Sequence, residues 1–155
     1  MAKNVFVSYD HDDAQQVNGF KLLKNNPNHP LDFRDHSLKE PVLTPWGKPN
    51  TYTPSDYRSK PVRDEIISKF DNASKLVVLI GDATWVSDWV DWEIKTFYDM
   101  KYELSVENTW KRIRGMRLKN CDNAIVPKAL GGRSTQVMNW SPDDMDRWLD
   151  LDPDQ

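Results

Sequence analysis

The chain is 155 residues long, enough for one domain, with 24 acidic and 21 basic residues, a net charge of -3 and a pI near 5.6. That balance excludes a protein that works mainly by coating nucleic acid or anionic lipid, and the single cysteine, Cys121, excludes an internal disulfide framework or a cysteine-built zinc site. No apolar run approaches a membrane span, and Met1-Ala2-Lys3-Asn4 lacks the apolar region of a signal peptide, so a cytoplasmic protein with no membrane and no nucleic-acid partner is expected.

Val5-Phe6-Val7 reads as a short buried strand that stops at Ser8-Tyr9-Asp10 and the polar stretch after it. Asp12 or Asp13 can cap a helix carrying Val17, Phe20 and Leu23. The breaker cluster Asn25 to Pro30 ends that helix, and Leu31 to Asp35 alternates as a second short strand. From His36 to Pro61 the chain holds five prolines and no usable period, which predicts a long functional loop anchored by Trp46, Tyr52 and Tyr57. Pro61 suits a first helical turn, and Val62, Ile66, Ile67 and Phe70 give that helix an apolar stripe.

Leu76-Val77-Val78-Leu79-Ile80-Gly81 is the strongest strand signal in the chain, apolar on both faces as a central parallel strand should be. A helix from about Asp88 to Leu104 follows, with Val90, Ile94 and Phe97 as its stripe. Trp110 to Leu118 reads as a mixed basic and apolar strand. The basic run Lys111, Arg112, Arg114, Arg117 and Lys119 could suggest phosphate or nucleic-acid contact, but in an otherwise acidic chain it is expected on a solvated strand edge. Ala124-Ile125-Val126 is a short apolar piece stopped by Pro127. Ser141 followed by Pro142 opens a last helix with Met145, Trp148 and Leu149. Alternating strands and helices imply an α/β fold: a doubly wound, flavodoxin-like parallel sheet in a three-layer α/β/α arrangement, over residues 1–155 as a single domain.

Such sheets bind ligands at the carboxyl ends of the strands, where the strand order reverses. Here that crevice falls between the first and third strands, beside Ser8, Tyr9, Asp10 and the start of the helix Ser87-Asp88-Trp89-Val90-Asp91-Trp92-Glu93. Trp89 and Glu93, four apart, share a helix face next to the apolar stripe. On spacing alone, Glu93 is either an ordinary acid favoured by the helix dipole or a carboxylate placed at the cleft. His11, His29 and His36 have no metal-ligand spacing and no glycine-rich phosphate cradle occurs, so no metal and no resident cofactor are expected.

Val5-Phe6-Val7-Ser8-Tyr9 followed by acidic residues resembles the first box of TIR (Toll/interleukin-1 receptor) domains. Phe33-Arg34-Asp35 before a long loop resembles the second box, although residues 36–61 lack the usual Pro-Gly tip and run longer. Ser87-x-Trp89-x-x-x-Glu93 resembles the signature around the catalytic glutamate of TIR enzymes, in wording closest to the bacterial TIR-like domains that include the TIR subunit of Thoeris antiphage defence. The resemblance spans roughly Lys3 to Val126. It implies a TIR-like domain that cleaves NAD, as substrate, at the nicotinamide–ribose bond. It further implies a cyclic or conjugated ADP-ribose signal that activates a separate effector, and self-association through TIR-like surfaces.

On that resemblance Glu93 is the catalytic carboxylate, with Ser8, Tyr9, Asp10, Asp35, Ser87, Trp89 and Trp92 around the substrate and Trp85 close by. Trp110, Trp140 and Trp148 are expected in structural roles. Two other classes remain open from the residues: a non-catalytic TIR-like adaptor, and a receiver-like signalling module in which Asp82 and the aspartates after the first strand surround a divalent cation.

Overall fold

The computed structural model describes residues 4–10, 31–33, 53–82, 84–102, 112–131 and 137–151. The strands are β1 (Asn4–Ser8), β2 (Leu31–Phe33), β3 (Ala73–Ile80), β4 (Ile113–Arg117) and β5 (Val137–Met138). The helices are α1 (Lys60–Asn72), α2 (Asp88–Tyr102) and α3 (Pro142–Asp150). The five strands among the described residues are all parallel, in the order β2-β1-β3-β4-β5. The register sets Val5 against Leu31 and Phe6 against Leu76, then Leu76 against Ile113 and Met116 against Met138. This is the flavodoxin-like order, with its reversal between β1 and β3. Among the described residues no helix is long and apolar enough to cross a membrane.

Six consecutive residues of β3, Lys75 to Ile80, are buried, because this strand is flanked on both edges and covered on both faces. Adjacent residues of a strand point to opposite faces, so Leu76 and Lys75 mark the two sides of the sheet. On the Leu76 side, Phe6 packs edge-on to Phe70 with centroids 4.8 Å apart, and Phe70 packs edge-on to Phe97 at 5.4 Å. That column joins β1 to α1 and α2. On the Lys75 side, the Lys75 ammonium and the Arg114 guanidinium lie 4.6 and 5.3 Å from the Trp148 ring, which places α3 there. Helices therefore cover both faces of the sheet.

α1 begins with Pro61 in its first turn and buries Val62, Ile66 and Phe70. The segment leading into it is held by polar groups. Ser59 Oγ donates to the Thr53 carbonyl at 2.7 Å, Arg63 Nη1 to the Asp56 carbonyl at 2.7 Å, and Asp56 caps the short turn Tyr57–Ser59. Tyr57, expected to anchor this loop, is 83% exposed and does not. Trp46 and Tyr52, with the rest of 34–52, lie outside the described residues, as do Asp12, Asp13 and the first predicted helix.

One further expectation changes. The arginines of the basic run do not form a solvated edge: β4 lies between β3 and β5, Arg112 and Arg114 are half-buried, and burial holds the Arg114 guanidinium below its usual range, while Lys119 is exposed and Lys111 lies outside the described residues. The short apolar piece Ala124 to Val126 lies outside the strands, with Ile125 exposed. The chain then turns through Pro127 into Lys128–Leu130, stops at Gly131 in the left-handed region (φ 64°), and adds the two-residue β5 afterwards. The predicted start of α3 holds: Ser141 Oγ accepts from the Asp144 amide at 3.4 Å, with Pro142 in the first turn.

Candidate active site

At the carboxyl end of β1 the chain leaves the sheet through Ser8, Tyr9 and Asp10. At the same end of β3, the Gly81 amide donates to Thr84 Oγ1 at 2.8 Å, and this tight turn opens the short 3-10 turn Thr84–Val86. Ser87 then caps α2. Its hydroxyl accepts from the Val90 amide at 3.3 Å, and its carbonyl accepts from the Asp91 amide at 3.1 Å. Asp88 and Asp91 in the first turn suit the positive end of the helix dipole. Asp91 also pairs with Lys95 at 2.8 Å, one turn on, and this bond holds the Lys95 ammonium above its usual range.

Val90, Ile94 and Phe97 are fully buried and fix the rotation of α2 against the sheet. Glu93 sits beside this stripe and is itself fully buried. A carboxylate taken out of water needs donors to offset the loss of hydration. One comes from the end of β1: Ser8 Oγ donates to Glu93 Oε1 at 3.1 Å, joining residues 85 apart in sequence. The pair bridges β1 and α2 at the reversal point of the sheet.

The other predicted residues separate. Trp89 and Trp92 are half-buried, pack against the core and meet each other edge-on at 5.7 Å. Tyr9 is fully buried as part of the core, and Asp10 is half-buried. The Ser87 hydroxyl is engaged in capping. Trp85, in the turn before α2, is 48% exposed, and Asp82 is exposed at the end of β3. Asp35 lies outside the described residues. Of the structural tryptophans, Trp148 is buried and Trp140 packs against the core, while Trp110 also lies outside the described residues.

Among the described residues no cluster of three or more His, Cys, Asp or Glu is placed to hold a metal ion. A cavity of about 340 Å³ is lined by Ile94, Lys95, Tyr98, Asp99 and Ala129, between α2 and the turn Lys128–Leu130. Glu93 does not line it, so it is separate from the Ser8–Glu93 pair.

The arrangement presents one buried carboxylate, oriented by a hydroxyl, at the edge where parallel α/β sheets bind ligands. A family model described as the Thoeris protein ThsB, TIR-like domain, matches residues 6–126, from within β1 to the loop beyond β4. No curated protein matches the chain.

Proposed function

The chain belongs to the family of Thoeris ThsB TIR-like domains, a family of antiphage defence, and on that premise we propose that it cleaves NAD at the nicotinamide–ribose bond with Glu93 as the catalytic carboxylate. The observation that carries the reading is the placement of Glu93. It is fully buried and hydrogen-bonded to Ser8 at the β1/β3 reversal point, inside the span that the family model matches.

The chemistry suits a site with one carboxylate. Most glycoside hydrolysis uses two, one of them to protonate the leaving oxygen. Nicotinamide in NAD is already cationic. When its C–N bond breaks, the electron pair returns to the ring nitrogen and the group departs neutral, without an acid. The charge that develops on the ribose is then stabilised by the preorganised carboxylate. Aromatic faces such as Trp89 favour the cationic ring. Water at the anomeric carbon, losing a proton, gives ADP-ribose. A nucleophile of the same molecule gives a cyclic isomer, and an added acceptor gives a conjugate. In this reading the cyclic or conjugated product is the signal that activates a separate effector, and assembly through TIR-like surfaces switches the enzyme on.

The test is incubation of the concentrated protein with NAD, followed by separation of products by mass and retention. Release of nicotinamide with an ADP-ribosyl product is expected, and Glu93→Gln should keep the fold and abolish release. If Glu93→Gln released nicotinamide at the parent rate, the assignment would be wrong. If assembled wild-type protein left NAD intact, the adaptor reading would replace this one.

A further inference from the structure

Ser8 is expected from the sequence among the residues that touch substrate. Its geometry fits a different role, and we infer that Ser8 is a positioning residue, which orients the Glu93 carboxylate through its hydroxyl and does not itself bind NAD. The inference rests on the NAD-cleavage reading of Glu93.

Three observations carry it. Ser8 is fully buried together with Glu93, so its one hydroxyl proton is committed to that carboxylate and not to a ligand. Its hydroxyl donates to Glu93 Oε1 at 3.1 Å. Its place in the register, opposite Val78 and two residues beyond Phe6, puts its side chain on the sheet face that carries α1 and α2. Glu93 has a flexible stem on a helix, whereas Ser8 is a short side chain on a strand paired on both edges. The bond therefore ties the mobile partner to the rigid one. A hydroxyl hydrogen bond to one carboxylate oxygen selects a single rotamer and leaves the direction of the second oxygen defined, which is what electrostatic stabilisation of a developing charge requires.

Ser8→Ala removes the donor, and Ser8→Thr retains a hydroxyl at the same place. Ser8→Cys, close in size with only a weak donor, covers the case in which alanine or threonine fails to fold. The expected result for Ser8→Ala is a kcat for nicotinamide release about 10- to 100-fold lower with KM within about threefold, as follows from losing a hydrogen bond to a charged group. Ser8→Thr should restore most of the loss, and Ser8→Cys should fall between. A raised KM at unchanged kcat would overturn the inference and return Ser8 to the substrate-binding set.

A second readout does not depend on turnover. In protein labelled with ¹³C at the glutamate carboxyl, the Glu93 resonance, assigned by its loss in Glu93→Gln, should move in Ser8→Ala and stay in place in Ser8→Thr. If wild-type protein never cleaves NAD, the function reading fails while this shift still reports the pairing. If the resonance is unmoved in Ser8→Ala, the positioning role fails whatever the activity.

Discussion

The Lys75 ammonium lies 4.6 Å from the centroid of the Trp148 ring and donates to the Trp148 carbonyl, so a charge near the start of the central strand closes the last helix of the chain. It also donates to the Leu151 carbonyl at 2.8 Å and to the Leu149 carbonyl at 3.4 Å. These carbonyls lie in and just past the last turn of α3, where the regular helical bonding runs out and the Trp148 carbonyl takes the capping Leu151 amide at 3.2 Å, and a cation there also meets the negative end of the helix dipole. Lys75 is 2% exposed, and a charge so buried stands only because several oxygens surround it. On the opposite face Lys101, also buried, donates to the Phe70 carbonyl near the end of α1 at 2.8 Å. Two buried lysines thus finish two helices, one on each side of the sheet.

Lys75→Met keeps the stem and removes the donor, leaving the carbonyls at the end of α3 desolvated. The expected loss is about 1–3 kcal/mol in urea unfolding, in line with the cost of unsatisfied buried polar groups. Amide exchange should rise first in α3, residues 142–150. Unchanged stability with unchanged exchange in α3 would show that the helix is held by Trp148 and Leu149 packing alone.

Lys101 supplies a pH dependence with a definite sign. Burial, reinforced by the Arg112 guanidinium and opposed by Asp71, holds its ammonium below the ordinary 10.5. The folded protein gives up this proton at lower pH than the unfolded chain. Between the folded value and 10.5 the unfolded chain therefore holds more protons, and the Lys101 contribution to stability rises with pH there. It is lost again as pH falls through the folded value. The stability of wild type relative to Lys101→Met should accordingly grow between neutral pH and 10.5. A flat or falling difference, by urea unfolding at several pH values, would contradict this.

What could be read from the sequence follows from how local each signal is. β1, β3, α1 and α2 were legible because unbroken apolar runs and a 3.6-residue stripe are carried by neighbouring residues. β5 was not, since two residues, Val137 and Met138, hold no period and gain their ladder only from β4. Lys75 reads as an ordinary charge beside a strand, and only the arrival of α3 on that face buries it. Tyr57 reads as an anchor, but Arg63 and Ser59 secure its segment through backbone carbonyls, leaving the ring in solvent. Glu93 stood out by its spacing from Trp89. Its hydrogen bond with Ser8 did not, because that bond is made by the fold between residues 85 apart.

Gly115 sets how closely β5 can approach. A Cβ at this position would lie 3.1 Å from Ile80 Cδ1, 3.2 Å from Val137 Cγ2 and 3.3 Å from Leu130 Cδ1. These are side-chain tips that can yield by tenths of an ångström, so Gly115→Ala should stay within about 1 kcal/mol of wild type. Gly115→Val adds methyl groups with no room to receive them. A loss of about 1–3 kcal/mol is expected for it, with the fastest added exchange at Val137 and Met138. Equal stability of the valine variant would mean that β5 and the Lys128–Leu130 turn move freely away from β4.

Glu93→Asp tests whether the carboxylate works by its position or by its charge alone. Aspartate keeps the charge but draws the carboxyl group back toward the helix by one carbon–carbon bond, about 1.5 Å. The Ser8 hydroxyl, 3.1 Å from Oε1 in the parent, is then out of hydrogen-bond reach unless α2 shifts. α2 is resisted by Val90, Ile94 and Phe97, all fully buried, so the carboxylate and not the helix should give way. A misplacement of about 1 Å at a reacting centre costs about 100-fold, and a loss of at least that size in nicotinamide release is expected. The far-ultraviolet circular dichroism should be unchanged, because the substitution removes a methylene without altering the stripe that packs α2. Turnover by Glu93→Asp near the parent rate would mean that a negative charge anywhere near the β1/β3 crevice suffices, and the preorganisation on which the Ser8–Glu93 pair is argued would lose its role.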